Sequence, residues 1–424
     1  MFPPGTDRQP RGLREWPDGN ARPSTGRGEM AIPRTRPGNY PALLSYGFRP
    51  FFLAGSLYAG GAILLWLPLF YGELATPSAF APVDWHVHEM LFGYLAAVIT
   101  GFLLTAIPNW TGRLPLQGGP LLVLAGLWLI GRVAVFFSAA VDWRIAAVAD
   151  CAFLAAVTAA TAREIVAGRN WRNLKVLLPV SVLLLANIAF HVEAHFNGIS
   201  DYSRRLGIAA AVLLIMIIGG RIIPSFTRNW LVRENPGRLP APFGRLDLAA
   251  IAASALALAA WVGLPDSRAA GILLVIAAAL NAVRLLRWAG DRALRDPLVL
   301  VLHVAFALVP TGFLLCGLSA LTPDLVPAAA GLHAFGVGAI GGMTLAVMTR
   351  ATLGHTGRAL VAGRATSALY CAIALAVALR VAAAFLPAHD VLLDLSAAAW
   401  AAAFLGYAAI YGPMLWRPRA ARRA

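Results

Sequence analysis

Trp85-His86-Val87-His88-Glu89-Met90-Leu91-Phe92-Gly93-Tyr94 opens an apolar run that continues to Pro108, and the reading of that run decides the fold. Residues 85–108 are long enough to cross a bilayer, for which about 20 apolar residues suffice. Yet the run begins with two imidazoles and a carboxylate. Ionisable groups at membrane depth are costly, and they face a bundle interior, a partner or a metal. The stretch therefore reads as a membrane helix with a site at one end. Two others behave alike: His191-x-x-x-His195 near the end of one apolar run, and His333 near the start of another, ahead of Gly341-Gly342-Met343-Thr344.

The rest of the chain has the same character. Of 424 residues, 59% are hydrophobic and 13% charged, against about 25% charged in a soluble domain. This composition predicts an all-α polytopic integral membrane protein. Twelve spans are expected, at 47–71, 85–108, 120–139, 142–166, 174–196, 204–224, 246–264, 269–288, 297–320, 328–349, 366–386 and 392–415. The net charge of +15 does not point to nucleic acid, because the basic residues lie in short loops between spans. Arg113, then Arg163 to Lys175, Arg228 to Arg245, Arg284 to Arg295, and Arg350 to Arg364 fall on one side, with the tail arginines 417, 419, 422 and 423. Glu73, Asp84, Asp142, Asp201, Asp266, Asp324 and Asp390 fall on the other. By the positive-inside rule both termini are cytoplasmic. Residues 1–39, rich in Arg, Pro and Gly, read as a disordered cytoplasmic tail preceding the membrane domain at 40–424, with Met30 as an alternative start.

A repeat of three units of four spans is suggested by matching span ends. Gly219-Gly220-Arg221 to Thr227-Arg228 aligns with Gly341-Gly342-Met343 to Thr349-Arg350, and Pro108 to Thr111 aligns with Pro224 to Thr227. Cys151, Cys316 and Cys371 lie in separate spans with no CxxC or CxxCH motif. They read as packing residues, and any haem is held non-covalently.

Orientation turns position into depth. His86, His88, His191, His195 and His333 share the outer side, a candidate metal or haem ligand set. His303 and His355 fall to the inner side, and His355 lies roughly 33 Å from His333 along a helix. His191 and His195, one turn apart, can share one small metal ion. His86 and His88 point about 200° apart and serve different partners, unless the helix starts after them. Glu89, Glu193 and Asp150 are candidates for proton handling or for orienting an imidazole. Their competing reading is a surface or helix-cap carboxylate, strongest for Glu89. Arg221 and Arg350 can pair with haem propionates or anchor the inner side. His303 reads as a hydrogen-bonded helix contact, and His389 as a solvated loop residue.

At these residues the chain resembles the NnrS family of membrane haem–copper proteins. The resemblance is carried by Trp85 to Tyr94, Gly101-Phe102-Leu103-Leu104-Thr105-Ala106-Ile107-Pro108-Asn109-Trp110-Thr111-Gly112, Arg221 to Asn229, Gly338 to Met343 and Met348 to Arg358. It covers nearly everything after residue 40. It implies twelve spans in a bacterial inner membrane, haem b and copper, and a role in nitric oxide metabolism, denitrification or protection from nitrosative stress. It places the family histidines at His86, His88, His191, His303, His333 and His355; His195 lies outside that pattern. The leading expectation is an oxidoreductase that binds and reduces nitric oxide, taking electrons from a quinol or a periplasmic donor. The alternatives are non-enzymatic sequestration of nitric oxide, and a transporter or copper-handling protein.

Overall fold

Apolar runs can satisfy their backbone in lipid only as helices or closed barrels. The computed structural model describes residues 38–386 and 390–419, and among these it contains twelve helices able to span a membrane and no strand. They are α1 (Phe48–Phe70), α2 (Pro82–Thr111), α3 (Gly119–Phe136), α4 (Trp143–Ala167), α5 (Trp171–Asn197), α6 (Tyr202–Glu234), α7 (Arg245–Gly263), α8 (Arg268–Leu286), α9 (Pro297–Leu321), α10 (Ala328–His355), α11 (Arg364–Ala383) and α12 (Asp390–Trp416). The chain is a multi-pass membrane protein. The expected tail, apart from Gly38 and Asn39, lies outside the described residues, as do His389, Arg422 and Arg423.

Local chemistry sets the helix ends. Pro82 starts α2, where a missing N–H costs nothing, and Gly112 ends it at φ 70°. Asp142 and Asp296 cap α4 and α9 by accepting from the Arg144 and Leu298 N–H groups. Two boundaries differ instructively from the hydropathy reading. The second span begins three residues earlier, at Pro82, so His86 and His88 lie within the helix. The sixth runs ten residues past Pro224 to Glu234, because beyond the lipid a helix no longer needs apolar residues. The outward faces carry side chains such as Ile145, Val148, Leu178 and Leu286, as lipid requires.

Burial follows a period of four helices. In the most apolar stretches of α2, α6 and α10, 83, 67 and 72% of residues are buried, against 33, 33 and 28% in α3, α7 and α11. The second helix of each quartet is thus central and the third peripheral, in keeping with three units of four. The ring closes where α12 packs along α1. There Arg49 donates to the carbonyls of Leu415 (2.8 Å) and Arg417 (2.6 Å), sealing the end of α12.

Arg284 is the largest fully buried side chain away from that seam. It donates to Asp247 Oδ1 at 2.9 Å and lies over Trp288 and Phe306. Its guanidinium fits only because Gly220 of α6 has no side chain; a Cβ there would overlap it. Gly220→Ala is therefore expected to destabilise the protein by about 1–3 kcal/mol, the usual cost of overpacking. Removing the obstacle with Arg284→Ala should recover little, because Asp247 is then left buried with a weaker partner. In a background carrying both Arg284→Ala and Asp247→Ala, by contrast, Gly220→Ala should be tolerated. Thermal unfolding in detergent checks all three.

Candidate cofactor sites

The first site is a polar cluster in the interior. His88 and Glu89 come from α2, Arg132 from α3, Asp150 from α4, and Asn187 and His191 from α5, with no more than 5% of any of them exposed. Arg132 lies between the two carboxylates. Its Nη1 reaches Glu89 Oε1 and Oε2 at 2.7 and 2.6 Å, and Nη2 contacts Asp150 Oδ1. The second Asp150 oxygen faces the imidazoles: Oδ2 lies 3.0 Å from His191 Nε2 and 3.2 Å from His88 Nε2, and accepts from Asn187 Nδ2 at 2.8 Å. His88 Nδ1 meets Glu89 Oε1 at 2.9 Å, and Tyr58 of α1 donates to Glu89 Oε2. Ligand atoms of His88, Asp150 and His191 lie within 4.8 Å of one another. Two imidazoles and a carboxylate form a donor set that suits a transition metal.

Apolar groups complete this site. Phe80, from the loop before α2, packs on His88 and His191 with ring centroids 5.0 and 5.3 Å away. Its loop is pinned where the Ala79 N–H donates to Ser138 Oγ at 2.8 Å. On the other side, a Cβ at Gly93 would meet Tyr58, Glu89 and Arg132 at once, so glycine is what lets α2 approach the cluster. Gly93 lies in a π-helical segment, Glu89–Leu95, whose carbonyl at Gly93 accepts from Trp128 Nε1. Single π turns inside α-helices are frequent at functional sites.

The second site is a cavity of about 600 Å³ on the opposite side of α2, within the roughly 300–1,000 Å³ usual for ligand pockets. His86, Met90 and Tyr94, spaced four apart on α2, line it with His333 of α10, Trp66, Trp400, Arg204 and Arg380. His86 stacks on Trp66 at 4.4 Å, and its Nδ1 is buried with no hydrogen-bond partner. His333 Nδ1 donates to the Ala329 carbonyl at 2.7 Å, which leaves Nε2 as the nitrogen with a free lone pair. His333 is likewise followed at once by a π-helical segment, Ala334–Gly341. Tyr94, within the first of these segments, and Thr344, just beyond the second, hydrogen-bond across the two helices.

The five histidines expected to share one side thus divide. His86 and His333 share the cavity, His88 and His191 share the cluster, and His195 joins neither, stacking on Trp143 at 4.5 Å and 16°. Glu89 and Glu193 exchange the environments expected of them. Glu89 is fully buried in the cluster rather than at a surface or cap. Glu193 is the capping carboxylate: it accepts from the N–H groups of Asp201, Tyr202 and Ser203 and from Ser203 Oγ, at 2.6–2.9 Å, where α6 begins. Asp150 is in the cluster. His303 lies apart, donating Nε2–H to Thr227 Oγ1 at 2.8 Å, since the threonine proton goes to the Ile223 carbonyl. His355 packs against Tyr46 and Phe48. Arg221 donates to Asn173 at 2.9 Å and Arg350 lies 4.0 Å over Phe226; neither lines the cavity.

Arg132, Asn187, Tyr58, Arg204 and Arg380 were missed by the sequence reading. Signals existed for three: Arg132 and Arg380 interrupt apolar spans, where a charge marks a site, and Asn187 lies one helical turn before His191.

Fold and sites together define a polytopic α-helical membrane protein with a buried imidazole–carboxylate cluster beside a large internal cavity. The chain matches the family described as NnrS protein over residues 42–419 and belongs to the NnrS family, which makes it a nitric-oxide-related membrane protein. No curated protein matches the chain.

Arg132 is the only arginine or lysine that faces both carboxylates among the described cluster residues. Arg132→Met should cost about 3–5 kcal/mol, the penalty for leaving buried charge unpaired. Adding Glu89→Gln and Asp150→Asn should recover most of it. Thermal unfolding of single and triple variants is the measurement, and equal stabilities would refute the charge argument.

Proposed function

We propose that the protein holds a non-covalent haem b in the cavity, with His86 and His333 as its imidazoles, and a copper ion at His88, Asp150 and His191, and that it binds nitric oxide and reduces it. One observation carries the reading: two imidazoles with unengaged nitrogens line one cavity, while two more meet a carboxylate across the same helix. The donor sets fit, since imidazole suits both iron and copper. Haem iron would supply a site for nitric oxide, and copper a second redox centre.

The chain's own residues prepare both places. Arg132 holds Asp150 Oδ1, so Oδ2 stays turned toward His88 and His191. The Ala329 carbonyl fixes the His333 tautomer, as partners of metal-ligating histidines commonly do. The largely apolar cavity lining suits a small apolar gas dissolved in lipid. The basic loops support a bacterial inner-membrane orientation with both termini cytoplasmic. Both sites then lie in the periplasmic half, within reach of a quinol in the bilayer or a periplasmic electron donor.

A second reading, nitric oxide held without turnover, is favoured by the carboxylates. Reduction to nitrous oxide consumes protons, yet Glu89 and Asp150 are engaged by Arg132, and Glu193 caps α6. A single-turnover gas assay on the reduced protein separates the two: nitrous oxide supports reduction, and a stable nitrosyl complex without it supports sequestration.

Variant spectra with metal analysis test the assignment itself. His86→Ala and His333→Ala should lose most of the haem absorbance, and His88→Ala and His191→Ala most of the copper. His303→Ala and His355→Ala should retain both. Haem lost at His303 but kept at His333 would overturn the assignment.

A further inference from the structure

The cavity contains a charge that the protein does not answer. Arg380 lies three residues before the end of α11, on the face opposite the basic loops, and lines the cavity with His86 and His333. Among the described residues no carboxylate, carbonyl or hydroxyl forms an ion pair or hydrogen bond with its guanidinium. Arg380 is half-buried, and the fully buried arginines are all provided for: Arg49 by the α12 carbonyls, Arg132 by Glu89 and Asp150, Arg205 by Asp201, and Arg284 by Asp247. Arg204, the other cavity cation, is engaged by Asp201 at 2.6 Å. A guanidinium at membrane depth without an internal counter-charge takes one from water or from a ligand.

The arrangement of the lining says which part of a ligand it meets. Arg380, Arg204 and Val83 lie at helix ends, at the mouth of the cavity. Tyr94 and Ile340 lie roughly 10 Å deeper along α2 and α10 than His86 and His333, and with Trp400 they make the floor apolar and aromatic. The ligand that matches is an apolar body with an anionic edge.

We infer that Arg380 binds a carboxylate arm of the cavity's ligand, holding its charged edge at the mouth and its apolar body among the aromatic side chains. On the haem reading above, on which this inference rests, that arm is a propionate. The inference sets this ligand apart from a neutral quinone-type headgroup, which offers the guanidinium no counter-charge.

The test uses the full chain, produced in haem-deficient cells and titrated in detergent with haemin and with its dimethyl ester, following the Soret band. The free acid should bind about ten- to a hundred-fold more tightly than the ester, the range for one charge-assisted hydrogen-bonded contact. Arg380→Gln should abolish that preference while binding the ester as the parent does, and Arg380→Lys should keep much of it. A preference that survives Arg380→Gln, or is absent from the parent, overturns the assignment of Arg380 and leaves the haem reading standing. If the parent binds neither compound, the haem reading fails and takes the inference with it.

Discussion

Everything at this end of the bundle depends on one buried guanidinium. Lipid offers Arg132 no water, so its charge must be met inside the protein, and Glu89 and Asp150 meet it from the helices on either side. Those carboxylates in turn fix His88, Asn187, His191 and Tyr58. A single charge thereby ties together α1, α2, α3, α4 and α5. Two carboxylates face one guanidinium, so with neutral imidazoles the cluster keeps one negative charge in excess. That excess is answered either by a second proton on His88, whose Nδ1 faces Glu89 and whose Nε2 faces Asp150 and Asn187, or by a metal cation beside His88 and His191.

The fold was legible because lipid leaves the backbone so little choice: apolar runs of sufficient length become helices, and twelve runs became twelve. The division of His86 from His88 was legible for a similar reason, since residues two apart on a helix point away from each other. The sequence also suggested a shared depth for five histidines, but depth alone does not say which helices are neighbours. His195 shares the depth of His191 and takes part in neither site, because its ring turns to Trp143. Glu89 looked like an end-of-span carboxylate because hydropathy started the helix at residue 85. The helix starts at Pro82, and the loop carrying Phe80 folds back over it. Glu193, one turn from a helix end in sequence, caps instead the helix that follows.

The π turns left no readable trace in the sequence, yet they distinguish two of the three most buried helices from the third. Among the central helices, α2 and α10 each carry a histidine followed directly by a π-helical segment, whereas α6 is α-helical throughout and has no histidine. Two of the three central helices therefore carry a local π-helical modification, and both face one cavity.

That modification explains why both sites share α2. Widening the helix after His88 leaves His86, Met90 and Tyr94 on the cavity side while His88, Glu89 and Gly93 stay with the cluster. One residue, Val87, separates the two imidazoles. Groups held at His86 and His88 would be joined through that short piece of backbone, and any movement of α2 that reshapes the cavity must also be felt at Glu89 and Arg132. The buried ion network, which cannot give without leaving charge unpaired, therefore makes α2 a rigid partition between two sites instead of a flexible wall.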